Sequence, residues 1–127
     1  MNVKLDTKEK FHEISLLDGV LTANMTADFA EMLSVVQKQP PFNVVLSLEQ
    51  VQEVHADMQQ ALAQAQQAYY ELNYSFVICC MQPAVEEAFD KAELLEMMNV
   101  TPTLSEAWDI VQMEEIEREL MGDFDTE

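Results

Sequence analysis

Few side chains in this sequence could carry chemistry. The two histidines are His12 and His55, the two cysteines Cys79 and Cys80, and the two glycines Gly19 and Gly122. His55 stands two residues before Asp57, a pair that in principle moves a proton or begins a metal site. A metal centre needs three or four converging ligands, and no cysteine or second histidine is near in sequence. Carboxylates alone hold calcium in a loop built around a glycine, and no such spacing occurs. His12 beside Glu13 reads as a surface or strand-edge residue. A phosphate-cradling loop needs several glycines close together, which this chain lacks. Ser15, Ser34, Ser47, Ser75 and Ser105 lack the glycine-flanked elbow that exposes a nucleophilic hydroxyl.

Cys79 and Cys80 are adjacent in an apolar run, so on a strand they point to opposite faces and a disulfide between them would distort the backbone. With no basic neighbour to activate a thiolate, they read as small buried hydrophobes in a reducing compartment. No catalytic residue, cofactor site or metal site is therefore expected, and an enzyme is the disfavoured class.

Charge narrows the partners. Six basic residues against 24 acidic ones give a formal net charge of −18, and no basic side chain lies between Lys38 and Lys91. Nucleic acid and anionic membrane surfaces need clustered lysine and arginine, so neither is expected as a partner. A basic protein partner fits the sign, although a solvated acidic surface that aids solubility is the plainer reading. No apolar run approaches the ~20 residues of a membrane helix. Met1 to Asp6 lacks the basic start and apolar stretch of a signal peptide, and a cytoplasmic location is expected.

The elements that must position these residues alternate. Val3 to Leu5 and Phe11 to Leu17 read as two strands joined by the polar turn Asp6 to Glu9. Thr26 reads as the N-cap of a helix carrying Phe29, Met32, Leu33 and Val36, ended by Pro40-Pro41. Asn43 to Leu48 is a strand. Met58, Ala61, Leu62, Ala65, Ala68, Tyr69 and Leu72 form a helical stripe, with Gln59, Gln60, Gln66 and Gln67 on its outer face. Tyr69, Tyr70 and Tyr74 are expected half-buried, with hydroxyls reaching solvent. Tyr74 to Met81 suits a central strand covered on both faces. Pro83 opens a helix through Val85, Phe89 and Leu95, and Met98 to Thr101 reads as a last strand. Thr103 to Glu106 is a capping box for a helix running through Trp108, Val111 and Ile116 to Leu120, with Gly122 as its stop and a frayed acidic tail beyond.

This order predicts an α/β fold: a mostly parallel mixed sheet of about five strands with about four helices. Residues 1–112 are expected to form the domain and 113–127 an acidic helical extension and tail. Within the extension, Met113, Ile116 and Leu120 share one helix face, expected to rest on the domain body or, alternatively, to form a homodimer.

Three stretches resemble the STAS domain, the fold of bacterial anti-sigma-factor antagonists. Asn43 to Val51 is similar to the family's apolar strand ending Leu-Asp-Leu. Gln82-Pro83-Ala84-Val85, with Phe89 and Leu94-Leu95, resembles the helix after the next strand. Thr101 to Ala107 is similar to the entry of the final helix. The likeness covers roughly residues 3 to 112.

The resemblance implies a regulatory protein-binding module that acts in transcription control without a catalytic site. In the family a serine within Asp-Ser-x-Gly, at the start of the helix after that first strand, is phosphorylated by an anti-sigma-factor kinase. The matching stretch here is His55-Ala56-Asp57-Met58. Ala56 stands at the acceptor position without a hydroxyl, and Met58 replaces the glycine. By position, the resemblance implies partner contacts at His55, Ala56, Asp57, Met58 and Gln59, with Asn24 and Met25 as neighbours. Asp57 is expected to cap its helix; alternatively, it imitates crudely the charge of a phosphorylated neighbour. STAS domains also occur in multi-protein signalling and transporter-associated assemblies, which leaves a scaffold subunit as the second reading.

Overall fold

A computed structural model describes residues 1–125, with side chains up to Met121. Val3–Thr7 (β1) and Phe11–Leu16 (β2) form an antiparallel hairpin in which Val3 faces Leu16 and Thr7 faces His12. Val20–Leu21 (β3) leads through a 3-10 turn, Ala23–Met25, into helix α1, Thr26–Val36. Asn43–Ser47 (β4), Glu53–Val54 (β5) and helix α2, Ala56–Glu71, follow. Phe76–Cys79 (β6), helix α3 at Pro83–Lys91, Val100–Thr101 (β7) and helix α4 at Leu104–Asp125 complete the chain. The main sheet has five strands in the order β1-β2-β4-β6-β7, and every pair beyond the first hairpin is parallel. The expected α/β architecture is the observed one.

Alternation along the strands decides what each face covers. Ile14, Leu16, Val44, Leu46, Phe76 and Ile78 belong to the larger core, with Phe29, Leu33, Met58, Leu62, Val85 and Phe89 of α1, α2 and α3. Phe11, Val45, Val77 and Cys79 form a second core with Ala107 and Val111 of α4. All residues of β4 and β6 are buried, as their nearly continuous apolar runs require in a parallel sheet covered on both sides.

Local chemistry sets the helix ends. The amide of Glu106 donates to Thr103 Oγ1 at 3.2 Å, as the capping box predicts. Thr26 is not an N-cap: α1 grows directly out of the 3-10 turn, Met25 holds the cap position, and the Thr26 hydroxyl donates back to Ala23 O at 3.0 Å. α2 ends in a Schellman motif, with Asn73 at φ 64° and the Tyr74 amide donating to Tyr69 O at 2.9 Å. The small parallel pair β3–β5 was not expected; two-residue strands leave no alternation to read.

Helix α4 departs most from expectation. It runs unbroken through residues 112 and 113, as expected, but continues past Gly122, the expected stop, to Asp125. One mid-helix glycine costs only about 1 kcal/mol relative to alanine, too little to stop a helix unaided. The expected tail therefore begins inside α4, and Thr126 and Glu127 lie outside the described residues. Met113, Ile116 and Leu120 do not rest on the body; they are 59%, 57% and 55% exposed. The inner face belongs to Ala107, Val111, Glu114 and Arg118, which recur at spacings of four, three and four.

The polar half of that inner face clamps the N-terminal ends of β4 and β6. Glu114 accepts from the Ser75 hydroxyl at 2.6 Å and from the Tyr70 hydroxyl at 2.8 Å. Arg118 donates to Ser75 Oγ at 3.0 Å and Asn43 Oδ1 at 3.2 Å, and Asn43 Nδ2 donates to Glu115 at 2.6 Å. His12 is buried rather than at the surface, with Nδ1 at 3.0 Å from Thr7 Oγ1 and Nε2 at 3.1 Å from Gln39 O.

Burial pushes the Tyr69 and Tyr70 phenols up to about 12 from an ordinary 10, and at Tyr70 the Glu114 carboxylate adds to the rise. Both groups bind their protons more tightly when folded. Their contribution is complete below pH ~10, the unfolded value, and is lost as pH rises through about 12. In a Tyr74→Phe background, alkaline unfolding followed by circular dichroism should therefore coincide with the rise in tyrosinate absorbance of Tyr69 and Tyr70, whereas tyrosinate appearing well before unfolding would contradict the burial argument.

Candidate functional site

The α2 N-terminus is built by the β3–β5 pair. Leu21 lies opposite Val54, and the His55 amide donates to Leu21 O at 2.8 Å. The amides of Gln52 and Glu53 both donate to Gly19 O, at 2.7 and 3.1 Å. The turn Ala23–Met25, which follows β3, lies against helix α2, although about 30 residues separate the turn from the start of that helix.

His55, not Asp57, is the N-cap; its backbone is extended and its side chain makes no capping bond. Asp57 lies within the first turn, where its charge complements the positive end of the helix. Its partner in sequence is not its partner in space: His55 Nε2 sits 3.4 Å from Glu53 Oε2. Both side chains are about half exposed or more, and such a pair contributes little to stability.

His55, Ala56, Asp57 and Asn24 are exposed, and Met25 is half-buried with its inner part on the core. Met58 and Gln59 face the other way. Met58 is fully buried, and Gln59 donates from Nε2 to Val54 O at 2.8 Å. Both are packed beneath the exposed turn rather than on its surface. Gln66, also expected on the outer face, is buried and donates to Phe76 O and Asn99 O at 2.7 and 2.9 Å. Gln66 thus adds a second donor at Asn99 O, which also accepts from the Ile78 amide at 3.1 Å.

The loops after β4 and β6 border this surface. Gln82, the N-cap of α3, donates to Glu49 O at 2.9 Å, and Cys80 adopts φ 65° at the sharp exit from β6. Burial pushes the Cys79 thiol far above its ordinary range, and the adjacent Cys80 adds to the rise. A thiol held protonated in this way is a poor nucleophile. The expectation that the tyrosine hydroxyls reach solvent fails at Tyr69, which is buried edge-on against Phe76 with its hydroxyl enclosed, while Tyr74 stacks on Phe42 and Tyr70 joins the clamp. Among the described residues no cluster of three or more His, Cys, Asp or Glu side chains is placed to hold a metal ion. Nor is any described helix long and apolar enough to cross a membrane.

The arrangement at the start of α2 is an exposed turn. It is braced by a two-stranded ladder, with a 3-10 turn lying against the same helix, at the C-terminal edge of a parallel sheet. The family model described as the STAS domain matches residues 6–107 of the chain. The chain belongs to the STAS domain family. Its fold is similar to that of an anti-sigma factor antagonist from Mycobacterium paratuberculosis, with TM-score 0.73, 18% identity and coverage of 87% of this chain and 93% of that one. It is also similar to an anti-sigma-factor antagonist (STAS) domain protein from Planctomyces limnophilus, with TM-score 0.67, 17% identity and coverage of 87% and 97%. A chain of the stressosome, described as a signal integration and transduction hub, matches with TM-score 0.65, 15% identity and coverage of 86% and 96%. No curated protein sequence matches the chain. At these identities the likenesses establish a common STAS fold. Two features of this STAS chain went unread in the sequence: the clamp centred on Asn43, and the β3–β5 ladder.

Proposed function

We propose that this STAS domain is a non-catalytic regulatory module of the anti-sigma-factor-antagonist type, acting in the bacterial cytoplasm. It docks a protein partner, an anti-sigma-factor kinase in the leading case, through His55, Ala56 and Asp57, with Asn24 and Met25 alongside. Phosphorylation at the usual position does not switch it. The observation that carries this reading is the exposed first turn of α2, in which residue 56 is the first helical residue and an alanine. An alanine cannot accept a phosphoryl group. Asp57 leaves one fixed negative charge on this turn, short of the roughly −1.5 to −2 of a phosphate.

Incubation with a cognate anti-sigma-factor kinase and ATP is expected to leave the wild-type chain unmodified in intact-mass measurement. Ala56→Ser is expected to gain phosphate, because Met58, in place of the family glycine, is turned inward and leaves the approach open. Stoichiometric phosphate on Ser47 or Thr26 of the wild type would contradict the proposal. Ser47 is only 8% exposed, which argues against its serving as a substitute acceptor.

The second reading is a scaffold subunit of a multi-protein signalling assembly. The exposed row Met113, Ile116 and Leu120 on the outer side of α4 favours it, since lone apolar residues are ordinary on a surface but a continuous row marks a contact. A homodimer through that row would oppose Asp109, Glu117 and Glu119 to their own copies, so a different chain is the better occupant.

A further inference from the structure

The outer face of α4 repeats like one seam of a coiled coil. Met113, Ile116 and Leu120 follow one another at three and four residues, the a-d-a spacing of a heptad, and each is more than half exposed. Glu117 and Glu119 hold the e and g positions that border such a seam, Asp109 extends its line one turn earlier, and all three are exposed. The one basic side chain of α4, Arg118, is turned the other way, into the clamp.

We propose that this face pairs with an amphipathic helix of another protein, apolar along its own seam and carrying lysine or arginine at the positions that flank it. The inference rests on the scaffold reading for the claim that the row is a contact, and it names what the row holds. Charge decides the occupant. When two helices pair along a seam, their e and g side chains meet across it and set which partners are accepted. A second copy of this chain would bring Glu117 and Glu119 against their own kind. A bilayer surface fits no better, because helices that lie on membranes border their apolar face with lysine and arginine. Basic flanks turn the same carboxylates from a repulsion into an attraction. Helix α4 covers the sheet face opposite to α2, so the row and the start of α2 can be occupied at the same time.

The probe is a labelled peptide of about three heptads with leucine at a and d, lysine at e and g, and glutamine at b and c; its flanking lysines keep it from pairing with itself. An isomer of identical composition and charge exchanges those lysines with the glutamines. By fluorescence anisotropy the wild type is expected to bind the first peptide in the micromolar range and the isomer at least about tenfold more weakly. The combined variant Met113→Gln, Ile116→Gln, Leu120→Gln is expected to lose at least about tenfold. Glu117→Lys with Glu119→Lys is expected to lose a similar factor and to gain affinity for the matching peptide with glutamate at e and g. No binding to the wild type, or equal binding of the two isomers, would overturn the proposal, and both outcomes stand whatever the variants do. A wild-type dimer that the glutamine variant abolishes would give the row to a second copy and overturn it too. A photoreactive residue at position 117 in the native host keeps the scaffold reading distinct: a protein adduct there without peptide binding removes the basic helix and leaves the contact.

Discussion

Truncation after Gln112 is expected to lower the melting temperature by on the order of 10–20 °C. The shortened chain keeps Ala107 and Val111, the apolar contacts of α4 with the sheet. It loses Glu114, Glu115 and Arg118, and with them every bond of the clamp to Asn43 and Ser75. Ser75 is fully buried and Asn43 is 3% exposed, so their side chains would lose charged partners at the lower edge of the sheet. Hydrogen bonds to charged groups contribute about 1.5–3 kcal/mol each, and two or three of them amount to a substantial part of a domain's 5–15 kcal/mol. The triple variant Met113→Gln, Ile116→Gln, Leu120→Gln isolates the outer face. It should melt within a few degrees of the wild type, because these side chains are already more than half exposed. Calorimetry of both variants, with mass in solution measured alongside, separates the clamp from the outer row. An undisturbed truncation would contradict the clamp.

Ala56→Arg is expected to weaken partner binding by at least about thirtyfold while leaving the fold intact. Residue 56 is exposed, between His55 and Asp57 in the proposed surface. An arginine there projects into the space a partner must occupy, and disruption at the middle of an interface typically costs 2 kcal/mol or more. Its effect on stability should stay within about 0.5 kcal/mol, since the side chain replaces a surface alanine at the first helical position. Titration against the partner, with melting as the control for folding, measures both quantities. Unchanged affinity would remove residue 56 from the interface.

Legibility followed the range of the interactions. β4 and β6 could be read because a strand covered on both faces is apolar at nearly every position, and Thr103 with Glu106 announced the start of α4 within four residues. The clamp could not be read, because Asn43 and Arg118 lie 75 residues apart and each alone is an ordinary surface type. α4 shows how an apolar period misleads. Met113, Ile116 and Leu120 carry the spacing of a buried seam, yet Glu114 and Arg118 take the inner face because Tyr70, Ser75, Asn43 and Asn99 offer them partners. The exposed turn at the start of α2 was legible from its position after β4 and before the helical stripe. Its composition was only partly so: residues 55, 56 and 57 face solvent, while helical geometry carries Met58 and Gln59 inward with Leu62 and Gln66.

The most direct test of the docking surface is photo-crosslinking in the native host. A photoreactive residue is placed singly at Asp57, at Asn24, and at Gln67, an exposed position further along α2. The docking account predicts one discrete protein adduct shared by positions 57 and 24 and absent from 67, with mass spectrometry identifying a kinase-like regulator. An adduct formed from position 67 but from neither 57 nor 24 would contradict it.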